Sequence, residues 1–204
     1  GDTTIDSAIA TGTGGLTKNG AGELTLSGTN TFAGDLTISD GTVSVDGGAA
    51  LADSVDVIVD DGATLNLNSS EAIASLANSV GAALNGATLS VGANELDIVG
   101  ATSTTFNGTV TGTGAILNDG SGKLELTGDG SGFAGLLGST GTGSEIALTG
   151  AGTTGAKGVG ATAGNTFSTD GGAILDTSAV LAADGQVTFT GPETLDPEDK
   201  FVAF

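Results

Sequence analysis

The sequence lacks several residue types on which binding and catalytic chemistry depend. Its 204 residues include no Cys, His, Met, Trp, Tyr or Arg, and only two Pro. Without Cys there is no disulfide bond and no thiolate metal site. Without His and Arg the chain lacks the base and the cationic clamp that enzymes acting on acidic polysaccharides generally use. We therefore predict that it is not an enzyme, and we predict no catalytic, cofactor-binding or metal-ligating residue.

Positive charge is also scarce, with four Lys against 24 acidic residues and a net charge of −20. Nucleic acids and anionic membranes are bound through basic groups that displace counterions, so we expect neither as a partner. No apolar run approaches the roughly 20 residues of a transmembrane helix, and we expect no direct membrane insertion. The N-terminus has neither a signal peptide nor an initiator Met, which indicates a processed chain or a fragment.

Apolar residues make up 38% of the chain and are mainly Leu, Val, Ile and Ala, which is enough for a continuous core. They occur in short runs that alternate apolar and polar residues, the pattern of half-buried β-strands. Each run offers two side chains to one face. The pairs predicted to point inward are Leu24/Leu26, Leu36/Ile38, Val43/Val45, Leu65/Leu67 and Leu124/Leu126.

Turn residues separate these runs. Asp and Asn bond to their own backbone and tolerate left-handed geometry, which Gly adopts freely. Much of the negative charge is therefore expected to belong to turns. The Asp-Gly pairs begin at Asp40, Asp46, Asp61, Asp119, Asp129, Asp170 and Asp184, and the Asn-Gly pairs begin at Asn19, Asn85 and Asn107.

Two all-β architectures fit this pattern. Residues 37–43 have the form of a two-residue hairpin, which would build an antiparallel β-sandwich. A parallel β-helix is favoured instead by the two inward residues per strand, the scarcity of aromatic residues and a long-range repeat. One stretch also admits a helix, because Ile73, Leu76, Val80 and Leu84 are three or four residues apart in Ser69–Leu84. Its many small residues suit strands and turns equally well.

The internal repeat comprises residues 11–34 and 111–135, and the second copy has one extra residue near Gly130. The segment GAGELTLSGTNTFAG, residues 20–34, with the following LTI and GTV, resembles the autotransporter-associated β-strand repeat, also called the passenger-associated transport repeat. In the second copy Gly130 stands where the family prefers Asn. The resemblance implies a right-handed parallel β-helix (a solenoid) in the passenger of a type V secreted bacterial protein. It places Gly20, Gly22, Gly28 and Gly34 at corners.

The sequence bears on three further kinds of ligand: calcium, sugars and ice. Calcium would need carboxylates such as Asp60, Asp61 or Asp196, but no loop matches a known calcium motif, and the nearest, residues 128–132, lacks its order. Sugar binding generally uses exposed Trp or Tyr, and we expect the Phe residues to lie in the core or to plug turns. Ice binding would need Thr-x-Thr pairs in register on one face. The spacing of Thr11/Thr13, Thr29/Thr31, Thr111/Thr113 and Thr140/Thr142 is too irregular.

Together these features predict a β-helix passenger segment over residues 1–190, and a cap or the start of another module over residues 191–204. We expect a structural stalk or scaffold of an exported protein on the bacterial surface or outside the cell, supporting adhesion or display. Its partners would be other segments of the same surface protein or like subunits. The alternative is a self-assembling subunit of an extracellular filament, sheath or surface layer.

Overall fold

The computed structural model describes residues 1–79 and 86–149, together with the segments 153–154, 158–162, 165–169, 174–175, 180–182, 186–189 and 194–195. Every regular element in these residues is a β-strand, and most strands have three or four residues. In this part of the chain no helix is long and apolar enough to cross a membrane.

The strands are short because each holds only the few residues that face one side of a narrow core. In chain order they are β1 (Thr3–Ile5), β2 (Leu16–Lys18), β3 (Glu23–Leu26), β4 (Leu36–Ile38), β5 (Thr42–Val45), β6 (Asp56–Val59), β7 (Thr64–Leu67), β8 (Glu71–Ile73), β9 (Ser75–Ala77), β10 (Thr88–Ser90), β11 (Glu95–Ile98), β12 (Thr104–Phe106), β13 (Thr109–Thr111), β14 (Ala115–Asn118), β15 (Lys123–Leu126), β16 (Asp129–Gly130), β17 (Leu136–Ser139), β18 (Glu145–Leu148), β19 (Thr153–Thr154), β20 (Gly158–Ala161), β21 (Thr166–Thr169), β22 (Ile174–Leu175), β23 (Val180–Ala182), β24 (Gln186–Phe189) and β25 (Thr194–Leu195).

These strands form three sides of a solenoid. Side 1 is the sheet β1-β3-β5-β7-β10-β13, beyond which β16 lies against β13 and begins the sheet β16-β19-β22-β25. Side 2 is β2-β4-β6-β9, beyond which β12 lies against β9 and begins β12-β15-β18-β21-β24. Side 3 is β8-β11-β14-β17-β20-β23. The chain visits side 1, side 3 and side 2 in that order and then returns to side 1.

All pairings between the described strands are parallel, which excludes the antiparallel sandwich. The apparent hairpin at residues 37–43 turns the chain onward, because β4 pairs with β2 and β6 whereas β5 pairs with β3 and β7. Gly41 makes this corner at φ 73°, and a Cβ on it would lie 2.5 Å from the carbonyl oxygen of Gly20. Only glycine fits here, since the position combines a left-handed φ with backbone contact. The parallel β-helix is confirmed, and its right hand stays a prediction.

The helix-like spacing of Ile73 and Leu76 has a different origin. Ile73 ends β8 on side 3 and Leu76 lies in β9 on side 2, so the chain turns a corner between them at Ala74. Both side chains are fully buried. Two strands that meet at a corner can therefore imitate the three-residue period of a helix. Val80 and Leu84 lie outside the described residues, as do the prolines and the segment from residue 196 onward.

Successive coils are held in register along each side. On side 1, Leu24 pairs with Val43, Val43 with Leu65, Leu65 with Leu89 and Leu89 with Val110. These partners are 19 to 24 residues apart, so the coils differ in loop length while the strands stay aligned. Stacked units of this kind bury a continuous core that no single coil could bury alone.

Candidate functional site: core columns and corner side chains

The residues that hold the coils together form inward columns. All ten members of the predicted inward pairs are buried, from fully buried Leu26 to Leu24, which is 9% exposed. Burial of one such aliphatic side chain contributes roughly 1.5–3 kcal/mol. The predicted inward assignment is therefore confirmed for every pair.

Four phenylalanines also belong to the core, as expected. Phe32, Phe106, Phe133 and Phe167 are at most 1% exposed. A Cβ on Gly108 would lie 2.6 Å from Cζ of Phe106, and one on Gly135 would lie 2.7 Å from Cζ of Phe133. The glycine two residues after each of these rings therefore makes room for it.

The predicted corner glycines lie at bends of the backbone. A Cβ on Gly34 would lie 2.6 Å from the backbone nitrogen of Gly15, and one on Gly28 would lie 2.7 Å from the backbone of Ser7. Neighbouring coils thus come into direct backbone contact at their corners. The abundance of glycine follows from this contact.

Asn30 replaces a strand on side 3 of the first coils, where residues 27–35 form none. Its Oδ1 accepts a hydrogen bond from the backbone N–H of Ile9 at 2.7 Å, and its Nδ2 donates to the carbonyl of Ala50 at 2.5 Å. Asn30 is 2% exposed. One buried amide therefore links three successive coils.

Glu71, two coils after Asn30, bonds to the coil that precedes it. It occupies an inward position of β8, paired with Leu96, and accepts hydrogen bonds from the N–H groups of Ala50 at 3.0 Å and Leu51 at 3.1 Å. Burial raises the pKa of Glu71; the two backbone hydrogen bonds act in the opposite direction, and the charge of Asp53 adds to the increase. The carboxylate thus connects β8, the first strand of the side 3 sheet, to the preceding coil, which has no strand on that side.

Lys18 and Asn118 hold equivalent positions in the two copies of the repeat, and both are buried. The Lys18 ammonium donates to the carbonyls of Gly20 and, at 3.0 Å, Asp40. The Asn118 amide donates to the carbonyls of Gly122 at 2.9 Å and Glu145 at 2.8 Å. Each side chain therefore bonds its own corner and the corner of the next coil.

Two further Asn side chains also form hydrogen bonds between coils. Asn78 Nδ2 donates to the Val59 carbonyl at 2.8 Å, while its Oδ1 accepts from the N–H of Asn107 at 2.7 Å. Asn165 Oδ1 accepts from the N–H of Gly143 at 2.8 Å, and its Nδ2 donates to the Ser139 carbonyl at 3.3 Å. These partly or fully buried polar side chains were not predicted from the sequence. The detectable signal was an isolated Asn or Lys next to a glycine-rich corner.

The outward carboxylates Glu125 and Asp97 differ in their hydrogen bonds and in the direction of their pKa shifts. Burial would raise the pKa of Glu125, but hydrogen bonds from Thr105 and Thr149, each at 2.9 Å, and from Lys123 at 3.3 Å lower it below its ordinary value. Asp97 shows the reverse. Burial, together with the negative charges of Glu95 and Asp119, raises its pKa to about 6.

The acidic residues considered for calcium accept hydrogen bonds from protein groups where the structure describes them. Asp60 accepts from the Ser79 hydroxyl, and Asp61 accepts from the N–H of Gly86 at 2.9 Å. In residues 128–132, Asp129 accepts from the N–H of Ser131 at 2.9 Å. Among the described residues no three Asp or Glu side chains come together as a metal would require. Asp196 lies outside these residues, and the prediction that the chain holds no metal stays untested.

The fold and the contacts together define the class of protein. It is a parallel β-solenoid in which buried aliphatic side chains and polar side chains at the corners connect successive coils. Residues 16–45 match the family described as Passenger-associated-transport-repeat. This segment contains β2 through β5, so the matched unit covers two successive visits to sides 1 and 2. The predicted resemblance is confirmed: the chain carries an autotransporter passenger repeat.

Among characterised proteins, the chain is similar to the "Adhesin BmaC autotransporter" of Brucella suis biovar 1 (strain 1330). The two are 48% identical over 71 residues, which is 34% of this chain. The chain spans only 2% of the length of that relative. No solved structure matches the chain.

Proposed function

We propose that this chain is a scaffold segment of the passenger of an autotransporter-like protein displayed on a bacterial surface. The observation that carries the proposal is the unbroken parallel register of side 1 from β1 to β13, with buried aliphatic columns inside. The passenger-associated repeat at residues 16–45 and the similarity to an autotransporter adhesin support the same assignment.

The scaffold would act by holding another part of the protein away from the cell. Backbone ladders and corner side chains connect each coil to the next, so a load on one coil is shared along the stack. The relative is named an adhesin, which supports a role in adhesion or display for the larger protein. The partners would be the neighbouring segments of the same chain.

We also propose that the segment performs no catalysis. The most perturbed carboxylate, Asp97, lies on the outward face of β11 beside Ala72 and Leu117, without a basic side chain in either paired position. A general acid needs a substrate site with a second functional group, and the described residues around Asp97 offer further acids only.

Surface display provides the test. The chain is placed between a secretion signal and the membrane domain of an autotransporter, and an antibody detects an epitope at its N-terminal end on intact cells. We expect labelling with the native segment and with the outward control Thr25→Glu. Leu26→Asp should reduce labelling and increase protease sensitivity. Native chain that stays inside the cell, or equal labelling of all three, would refute the proposal.

The purified chain distinguishes the alternative subunit. A scaffold segment should sediment as a monomer at every concentration tested. Ordered polymers in sedimentation and electron microscopy would instead support a self-assembling filament or sheath.

A further inference from the structure

The three Asn-Gly pairs, which begin at Asn19, Asn85 and Asn107, differ in how the fold holds them. In such a pair the backbone nitrogen of the glycine can attack the side-chain amide carbon of the asparagine, because glycine has no Cβ to obstruct the approach. The attack needs an asparagine side chain that is free to turn and a glycine N–H that is free to lose its proton. Exposure and hydrogen bonding therefore decide which of the three pairs reacts.

The pair at Asn19 meets both conditions. Asn19 and Gly20 are exposed at the bend between β2 and β3. Within the part of the chain that the structure describes, the Asn19 side chain forms no hydrogen bond and the N–H of Gly20 has no acceptor. Gly20 adopts φ 82°, and a Cβ on it would meet no atom within 4 Å. The bend thus leaves room for the side chain to fold back onto the glycine nitrogen.

The other two pairs are held more firmly. The N–H of Gly86 donates to Oδ1 of Asp61 at 2.9 Å, which occupies the nitrogen that would have to attack. Asn107 is half-buried, and a Cβ on Gly108 would lie 2.5 Å from the carbonyl oxygen of Ala87. A hydrogen bond therefore restrains one glycine and close backbone packing restrains the other.

Lys18 adds an electrostatic contribution at the first pair. Its ammonium is buried and donates to the carbonyl oxygens of Gly20 and, at 3.0 Å, Asp40. Among the described residues no carboxylate pairs with it, since the one ion pair there joins Lys123 and Glu125. A nearby positive charge favours the anionic form of a group, here the Gly20 nitrogen after it loses its proton.

We propose that Asn19 is a site of spontaneous modification, at which the asparagine becomes aspartate or isoaspartate through a cyclic succinimide. The deprotonated nitrogen of Gly20 forms a bond to Cγ of Asn19. The bond from Cγ to the amide nitrogen breaks, and ammonia leaves with the proton. Water then opens the ring at one of its two carbonyls, which gives aspartate from one and isoaspartate from the other. The reaction uses no reagent besides water.

The second copy of the repeat indicates that this corner accepts the aspartate product, because Asp119 and Gly120 occupy the positions of Asn19 and Gly20. Aspartate would also supply a negative charge close to the buried ammonium of Lys18. Isoaspartate would instead lengthen the main chain by one carbon between β2 and β3, and so disturb the register of the first coil. The modification thus changes the charge of the corner in either case and its geometry in one.

The test incubates the full chain at neutral pH and at pH 9, digests samples over time and measures the peptides by mass spectrometry. Replacement of the amide by a carboxyl group raises the mass of the peptide, and the Asp-Gly pairs cannot produce this change. We expect the peptide with Asn19 to convert several-fold faster than those with Asn85 and Asn107, and faster at pH 9 because the nitrogen must lose its proton. In urea the three pairs should react at similar rates, since the fold no longer distinguishes them.

Variants separate the contributions, and circular dichroism verifies that each one keeps its strands. Asn19→Gln is the matched control and should stay intact, because its longer side chain would have to close a larger ring. Lys18→Met should react more slowly than the native chain. Equal conversion at the three pairs in the folded chain, or an Asn19 that stays intact while Asn107 converts, would overturn the proposal. Equal rates for Lys18→Met and the native chain would overturn the role of the ammonium.

Discussion

The two copies of the repeat, residues 11–34 and 111–135, fold alike locally and lie on different sides of the solenoid. In the first copy β2 lies on side 2 and β3 on side 1, whereas in the second copy β14 lies on side 3 and β15 on side 2. The copies are 100 residues apart, and because equivalent strands lie on different sides, this distance is not a whole number of turns. The repeat is thus a corner-turning unit that fits more than one corner.

This displacement explains where the copies differ. After β3 the first copy runs along side 3, where no strand forms before β8, and Asn30 supplies the bonds between coils. After β15 the second copy enters side 1, where Gly130 belongs to β16 and pairs with Thr154 of β19. A backbone ladder therefore replaces the Asn, and the family's preferred residue is dispensable there.

The core is common to both copies, and disrupting it should give the largest effect. Leu26→Asp and Leu126→Asp each place an unpaired charge in an aliphatic column, with an expected loss of about 4 kcal/mol or more of unfolding free energy. Urea denaturation followed by circular dichroism measures the loss. Thr25→Glu is the control, because the second copy already holds Glu125 at that outward position, and it should stay within about 0.5 kcal/mol of the native chain. A stable Leu26→Asp variant would contradict the inward assignment.

Asn30 should distinguish the copies. Asn30→Gly installs the residue of the second copy, but leaves the Ile9 N–H and the Ala50 carbonyl without partners. Each lost partner at a buried group costs about 1–3 kcal/mol, so we expect a loss of roughly 2–6 kcal/mol from the two groups. Thr29→Asp, which installs the other residue of the second copy at an exposed position, is the matched control. If Asn30→Gly behaved like the control, side 3 would not depend on a side chain in the first coils.

Lys18 and Asn118 should show the copies behaving alike. Lys18→Met and Asn118→Leu each remove a nitrogen that donates to two carbonyls, for an expected loss of about 1–3 kcal/mol. Lys18→Asn retains an amide donor and should recover part of the loss. The same urea titrations measure all three variants. A large effect at only one of the two positions would show that the corners are not equivalent.

The sequence was sufficient to predict the features that depend on neighbouring residues. The period of two identified Leu24/Leu26 and the other inward pairs, and the glycines identified the corners. It was not sufficient for features that depend on coil length, because loops of varying length move a residue from one side to another. The partners of Asn30 and the buried role of Glu71 both follow from register. Register requires knowing which residue begins each coil.

The smallest expected difference between the copies concerns the neighbour of Asp97. Asp97 pairs with Leu117 of the second copy, and the equivalent residue of the first copy is Thr17. A leucine cannot donate to the carboxylate, so burial and the charges of Glu95 and Asp119 act unopposed and raise the pKa of Asp97 to about 6. The folded chain therefore binds this proton more tightly than the unfolded chain does. Stability should fall as the pH rises from about 4 to about 6, by about 1 kcal/mol for a half-exposed group.

Asp97→Asn should remove this part of the pH dependence, raising stability at pH 7 relative to the native chain. Leu117→Thr should give part of the same gain, because the hydroxyl can donate to the carboxylate and lower its pKa. Urea titrations at pH 4.5 and pH 7 measure both effects. Asp35→Asn, at an exposed carboxylate, controls for the loss of one negative charge. If Asp35→Asn raised the stability at pH 7 as much as Asp97→Asn does, the gain would come from the lower net charge. Leu117 would then have no influence on the titration of Asp97.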